Sequence, residues 1–270
     1  MRSAFIGGLI CVSAVAAPSS ARQVQQTPTA QAVVQRDPQA VSVLQKAVAA
    51  MGGTVPADSA ATGAVTVVAG SETDQGTIRI LTRGTTQTSV QLQTPTRNSS
   101  EVFSGGGAAH IGSTGTATLL PMETAATSQS AFFPLPFMAS ALSDLDESCR
   151  FIGTEELNGA NVSHVVIWNT YASIPQLQSF ADFSATDVWL DSTTALPVRI
   201  AFVRRDSGGA TSKLAHQVDF SDYRAVSGAR YPYQIQESVN GTAFITITLQ
   251  SVSTNVGLTD ANFPVPDAGN

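Results

Sequence analysis

Two periods of apolar residues divide this chain. From Asp37 to Gly53 apolar positions return every three or four residues, with Val41, Leu44, Val48 and Met51 on one stripe, the spacing of a helix face. Asp37 suits the N-cap, Pro38 the first helical position and Gly52-Gly53 the stop, so one amphipathic helix of about 14 residues is predicted. After Gly63 the period becomes two. Val65 and Val67 flank Thr66, Ile78 and Ile80 flank Arg79, and Val90 and Leu92 alternate with Ser89, Gln91 and Gln93. Short runs follow at 98–103 and 116–120, with Gly105-Gly106-Gly107 between them read as a mobile turn. Further strands are expected at 150–155, 162–168, 187–191, 197–204, 213–220, 231–237 and 243–252. The alternation is cleanest in Ile245, Ile247 and Leu249 against Thr246, Thr248 and Gln250. Strands in close succession, joined by short turns, imply an antiparallel meander with one buried and one solvated face. No period of 20–50 residues marks a propeller or solenoid.

The pattern breaks at residues 130–145, SAFFPLPFMASALSDL, where Phe132, Phe133, Leu135, Phe137, Met138 and Leu142 crowd around Pro134 and Pro136. The prolines disqualify a central strand, and 137–145 reads as a short helix. Burying six such side chains is worth roughly 9–18 kcal/mol, at about 1.5–3 each, comparable to the net stability of a domain. The segment therefore plugs a cavity or covers one; its composition fits core filling and a lid equally well.

The N-terminus adds an address. Arg2 precedes an apolar stretch from Ala4 to Ala17, and Ser19-Ser20-Ala21 offers a small-x-small cleavage site. This is the arrangement of a signal peptide spanning 1–21, with export to the periplasm or beyond. The stretch is shorter than the roughly 20 residues of a membrane span, and no later segment approaches that length, so the mature chain is not expected to cross a membrane. Residues 22–36, RQVQQTPTAQAVVQR, read as a flexible, Gln-rich tether. Cys11 leaves with the signal, and Cys149, then the only cysteine, has no partner for an internal disulfide; it reads as a buried small hydrophobe, with a lone reactive thiol as the alternative. With net charge −6 and only Lys46 and Lys213 as lysines, the chain lacks the basic clusters that give affinity for nucleic acid.

The C-terminal third carries a resemblance. The run Val188-Trp189-Leu190-Asp191-Ser192-Thr193-Thr194-Ala195-Leu196-Pro197-Val198-Arg199 resembles a hairpin of the periplasmic outer-membrane lipoprotein-carrier (lipoprotein-sorting) superfamily. Residues 217–235, QVDFSDYRAVSGARYPYQI, are similar to its next hairpin, and Val256-Gly257-Leu258 with Phe263-Pro264-Val265-Pro266 to its closing segment. The resemblance implies a mainly β (α+β) fold over 37–266: a curved, half-open antiparallel sheet of about 11 strands wrapped around one or two short helices, with a short tail at 267–270. It also implies a concave apolar pocket of the kind that holds acyl chains in the carriers. It tips the Phe/Pro segment towards a lid, although this chain is longer than the carriers and its Phe/Pro segment bulkier.

Catalytic chemistry has little to stand on. His110, His164 and His216 show no metal-ligand spacing, and no GxSxG elbow or phosphate loop occurs. His164 and His216 read as hydrogen-bonded structural histidines, and Asp144, Asp146, Glu147, Glu155 and Glu156 as a solvated acidic face. No metal, cofactor or catalytic residue is expected, and the hydrolase reading has no motif behind it. The leading expectation is a non-catalytic protein that holds a lipid or other apolar molecule. Phe132, Phe133, Leu135, Phe137, Met138 and Leu142 would contact it, with Val65, Ile78, Ile80, Val90 and Leu92 lining the rest. The rival is a structural or interaction protein with a self-filled core that docks an envelope protein.

Overall fold

The computed structural model describes residues 33–121, 125, 132–205 and 213–266. The expected signal peptide, most of the tether and the tail at 267–270 lie outside the described residues. Two meanders build the sheet. The first comprises β1 (Asp58–Ala69), β2 (Glu72–Arg83), β3 (Gln87–Gln93), β4 (Asn98–Ser104), β5 (Gly107–Ile111) and β6 (Ala117–Leu119). The second comprises β7 (Glu147–Leu157), β8 (Ala160–Asn169), β9 (Thr186–Asp191), β10 (Pro197–Arg205), β11 (Lys213–Val226), β12 (Ala229–Val239) and β13 (Thr242–Thr254). β1 pairs antiparallel with β13, Val65 opposite Ile247 and Val67 opposite Ile245, which joins the meanders into one sheet of 13 strands with β6 and β7 at its edges.

The curved antiparallel sheet is thus as expected, with two strands more than the resemblance implied. β5 escaped the sequence pattern because GAAHI has too little apolar contrast to read as a strand. The glycines before it make a tight hairpin: Ser104 pairs with Gly107, and Gly105 and Gly106 both take positive φ, 60° and 80°, the geometry of a two-residue type I′ loop. Gly107 is therefore strand, not turn. A 3-10 helix at Pro175–Phe183 was also unsignalled.

Curvature follows from one contact. Six strands stand between β4 and β10 in the sheet order, so in a flat sheet they would lie about 34 Å apart at about 4.8 Å per strand. Yet the Arg204 guanidinium of β10 comes within 3.9 Å of the Glu101 carboxylate of β4. The two wings curl towards each other over the inner face.

Inside the curl lie α1 (Pro38–Ala50) and α2 (Pro134–Ser143). Helix α1 buries Ala40, Leu44, Ala47 and Met51, while Val41 and Val48 are only half-buried. Leu44 and Met51 belong to both the apolar and the buried stripe, while Ala40 and Ala47 take the buried places that Val41 and Val48 were expected to fill. Gly52 ends the helix at φ 116° hard against the β11–β12 turn, where a Cβ would meet the Gly228 carbonyl oxygen at 2.3 Å. Helix α2 starts three residues earlier than expected, with Pro134 in its first turn, where a missing N–H costs nothing.

Both helices are anchored to β7. The Asp37 carboxylate caps α1 by accepting from the Gln39 N–H (2.8 Å) and also accepts from the Phe151 N–H (3.0 Å). The Arg36 guanidinium donates to the carbonyls of Ala141, Leu142 and Asp144 at the end of α2, supplying acceptors that a helix terminus leaves open with donors of the favourable charge. Arg36 pairs in parallel with Cys149, whose N–H donates to the Gln35 carbonyl and whose carbonyl accepts from the Asp37 N–H, so the last residues of the expected tether belong to the folded body. Cys149 itself is buried, as expected, and desolvation pushes its thiol pKa up. On the convex face the buried Asp58 carboxylate accepts from the N–H groups of Val256, Gly257 and Leu258. That fixes the closing segment, whose Phe263 packs on Leu81 and Val102.

Candidate functional site

The inner face of the sheet is an apolar floor: Ala61, Val65, Val67, Ile78, Ile80, Leu92, Val165, Ile167, Val188, Ile200, Val218, Ile235, Ile247 and Leu249 all belong to one buried cluster. Helices α1 and α2 cover it at one end. Phe133 stands edge-on to Tyr231 at 5.2 Å, and Leu44, Met51, Leu135, Phe137 and Met138 join the same cluster. Towards the other end, where β10 finishes and β11 begins, a cavity of about 240 Å³ remains. Ile78, Val90, Leu92, Phe103, Phe132, Phe244 and Ile245 form its apolar wall.

The expected ligand contacts therefore fall into two sets. Phe132, Ile78, Val90 and Leu92 line the cavity. Phe133, Leu135, Phe137, Met138 and Ile80 are buried in the core away from it, and Leu142 and Val65 also pack there. The Phe/Pro segment thus divides at its second phenylalanine, with Phe132 facing the hollow and the rest filling the fold.

The polar half of the cavity lining had no signal in the sequence. Arg97, Ser99, Glu101, His110, Arg204, His216, Glu237 and Thr88 complete it. His216 and Glu237 are both buried on neighbouring strands, with His216 Nδ1 2.7 Å from Glu237 Oε1. The His216 ring stacks on Phe202 with centroids 5.2 Å apart and planes 6° from parallel, and the Arg204 guanidinium sits 5.3 Å from the centroid of that Phe202 ring. Arg204 Nε is buried and has no hydrogen-bond acceptor. These groups sit at inward positions of β4, β5 and β10–β12 because the same two-residue alternation that points Ile200 and Val218 inwards points Phe202, Arg204 and His216 there too. A histidine or arginine in such a strand could have been flagged only by noticing that it occupies an apolar-phase position.

His164 lies elsewhere, on the opposite face, with Nε2 2.7 Å from Asp187 and its ring stacked on Trp189; its hydrogen bonding is as the sequence reading had it. A larger hollow of about 520 Å³ lies by the β7–β8 turn, with a mixed lining in which Asn158, Asp219, Ser221, Gln234 and Gln236 alternate with apolar residues such as Val162, Val198 and Phe220. Among the described residues no group of three or more His, Cys, Asp or Glu side chains could hold a metal, and no helix is long and apolar enough to cross a membrane.

No family model and no curated protein matches this sequence. Solved structures do resemble it in fold. A LolA superfamily protein from Nitrosomonas europaea superposes with a TM-score of 0.55 at 13% identity, covering 84% of this chain and 97% of that one. A putative outer membrane lipoprotein-sorting protein domain from Vibrio parahaemolyticus gives 0.57 at 14% identity, over 83% and 96%. A DUF1329 family protein from Desulfovibrio piger gives 0.54 at 15% identity, over 83% and 97%.

Proposed function

We propose that this chain, built on the fold of the LolA superfamily, is an exported cell-envelope protein that binds a lipid-like apolar molecule in its concave cavity without catalysis. The observation that carries the reading is the unfilled cavity under a sheet whose own helices fill the rest of the same face. Packed interiors leave few voids larger than a water molecule. A hollow of about 240 Å³ walled by Phe103, Phe132, Phe244, Ile78, Val90, Leu92 and Ile245 is instead a place where apolar surface waits for a partner. Its size falls just short of the roughly 300–1,000 Å³ of small-molecule pockets, which suits one acyl chain or part of one. Binding there is driven by apolar area removed from water and is non-directional along the chain. The lipoprotein-sorting description of one fold neighbour agrees with such a ligand, and the Ser19-Ser20-Ala21 cleavage site with delivery to the envelope.

Native mass spectrometry of the chain expressed with its N-terminal residues into a bacterial periplasm tests the reading. A discrete added mass of lipid size is expected, and it should be lost in Phe132→Asp while the β circular-dichroism signal persists. Retention of the added mass in that folded variant would remove the cavity from consideration.

A second reading has its own support. Phe133, Leu135, Phe137 and Met138 occupy much of the concave face themselves, as a self-filled interaction protein would have them. A protein that is free of added mass and takes up no lipid on exposure to it favours that reading.

A further inference from the structure

The rim of the cavity is charged, and its charges are incompletely matched. Arg204 is a permanent cation whose Nε N–H is buried without an acceptor. Among the described residues its nearest carboxylate, on Glu101, stands 3.9 Å from Nη1, beyond hydrogen-bond reach. Glu237, the other carboxylate in the lining, is engaged by His216. The Phe202 ring beside the guanidinium restricts the plane in which it can turn, and Arg97 places a second, exposed cation on the same rim. A guanidinium held in this way offers a fork of N–H donors matched to a planar, two-oxygen acceptor.

From this we infer that the cavity takes an acidic single-chain amphiphile, a carboxylate on an acyl chain, with Arg204 as the anchor of the head group. The inference rests on the reading of the cavity as an apolar-ligand site and adds the ligand's head to it. The tail lies along Ile78, Val90, Leu92 and Phe132, and the carboxylate oxygens accept from the two Nη groups of Arg204. A singly charged head fits better than a phosphate. Glu101 and Glu237 both border the site, and their repulsion grows with the ligand's charge, which for a phosphate monoester approaches −2.

Isothermal titration of the delipidated protein at pH 8 with dodecanoate, dodecanol and dodecyl phosphate, all below their micelle concentrations, tests this. Dodecanoate should bind about tenfold more tightly than dodecanol, because the alcohol offers the guanidinium no anionic oxygen for a charge-assisted bond. Arg204→Met should reduce that ratio to near unity. Arg204→Lys, which keeps the charge and loses the fork, should fall between them, and Glu101→Gln should raise the ratio. If Arg204→Met does not fold, the wild-type ratio and Arg204→Lys decide. Equal affinities for dodecanoate and dodecanol in the wild type would overturn the anchor and leave the apolar site standing. An unchanged ratio in folded Arg204→Met would do the same, and tighter binding of dodecyl phosphate would overturn the carboxylate assignment. Failure of all three probes to bind would remove the cavity reading itself.

Discussion

The two ends of the concave face are laid on the same alternating strands and hold opposite contents. At the helix-covered end, Leu44, Met51, Phe133 and Met138 are all but inaccessible to solvent, and the exposed ends of both helices are satisfied by Arg36 and Asp37. At the other end the floor continues in Ile78, Val90, Leu92 and Ile245, but what faces it is a hollow and a ring of ionisable groups. The sheet supplies an apolar surface with no preference along its length; the helices decide where that surface is closed. Beyond their reach the chain places Arg204, His216 and Glu237 at inward positions, where desolvation penalises charge unless it is paired. A buried polar group in an apolar phase is the informative departure from ordinary burial. Here it separates a region closed by side-chain packing from one that keeps a hollow.

Truncation should separate the two ends most sharply. Phe133→Ala removes a ring buried to 1% exposure and should cost about 3–5 kcal/mol, with Met138→Ala at about 2–5. Phe132→Ala, one residue earlier but facing the hollow, should cost about 1 kcal/mol or less, because no packed cavity is created there. Urea midpoints of the three variants measure this. Equal losses for Phe132 and Phe133 would mean that the cavity end is as tightly packed as the helix end. Filling the hollow should act in the reverse sense. Val90→Phe places a ring in existing space and should change stability by about +0.5 to +2 kcal/mol, as cavity-filling substitutions do, while abolishing lipid uptake in the native mass spectrum. A destabilised Val90→Phe protein that still carried its ligand would show that the ligand sits elsewhere.

How much of this was legible beforehand follows the same division. Strands such as β13 announced themselves because Ile245, Ile247 and Leu249 alternate with polar partners, and the N-cap and proline of α1 marked its start to the residue. β5 and the true buried stripe of α1 were hidden by alanine, which packs as an apolar residue yet adds little contrast to the pattern. The apolar half of the cavity was visible in Phe132, Ile78, Val90 and Leu92. Its charged half was not: Arg204, His216 and Glu237 are polar residues in apolar-phase positions of the consecutive strands β10 to β12, and Glu101 of β4 joins them only once the sheet has curled. Periodicity reports which face a residue takes. It does not report which distant strand that face will meet, and the split between Phe132 and Phe133 was illegible for that reason.

The smallest expected effect concerns the tie between helix α1 and the sheet edge. Asp37 accepts from two backbone N–H groups, and its carboxyl is held below the usual aspartate value, first by the Phe151 bond and then by the Gln39 bond. An asparagine there keeps one acceptor oxygen and can still cap the helix, so Asp37→Asn should lose chiefly the link to β7. Because the folded carboxyl titrates below the unfolded one, its contribution is complete above the unfolded value of about 3.9 and is lost as pH falls through the folded value. The gap in urea midpoint between wild type and Asp37→Asn should therefore be constant from pH 7 to pH 5 and close in more acid solution. A gap that widened in acid would show that the charged form is not the one being stabilised. Ligand uptake at pH 7 should be untouched by this substitution, since Asp37 lies in the helix-filled half; a loss of uptake would mean that closure at one end governs the opening at the other.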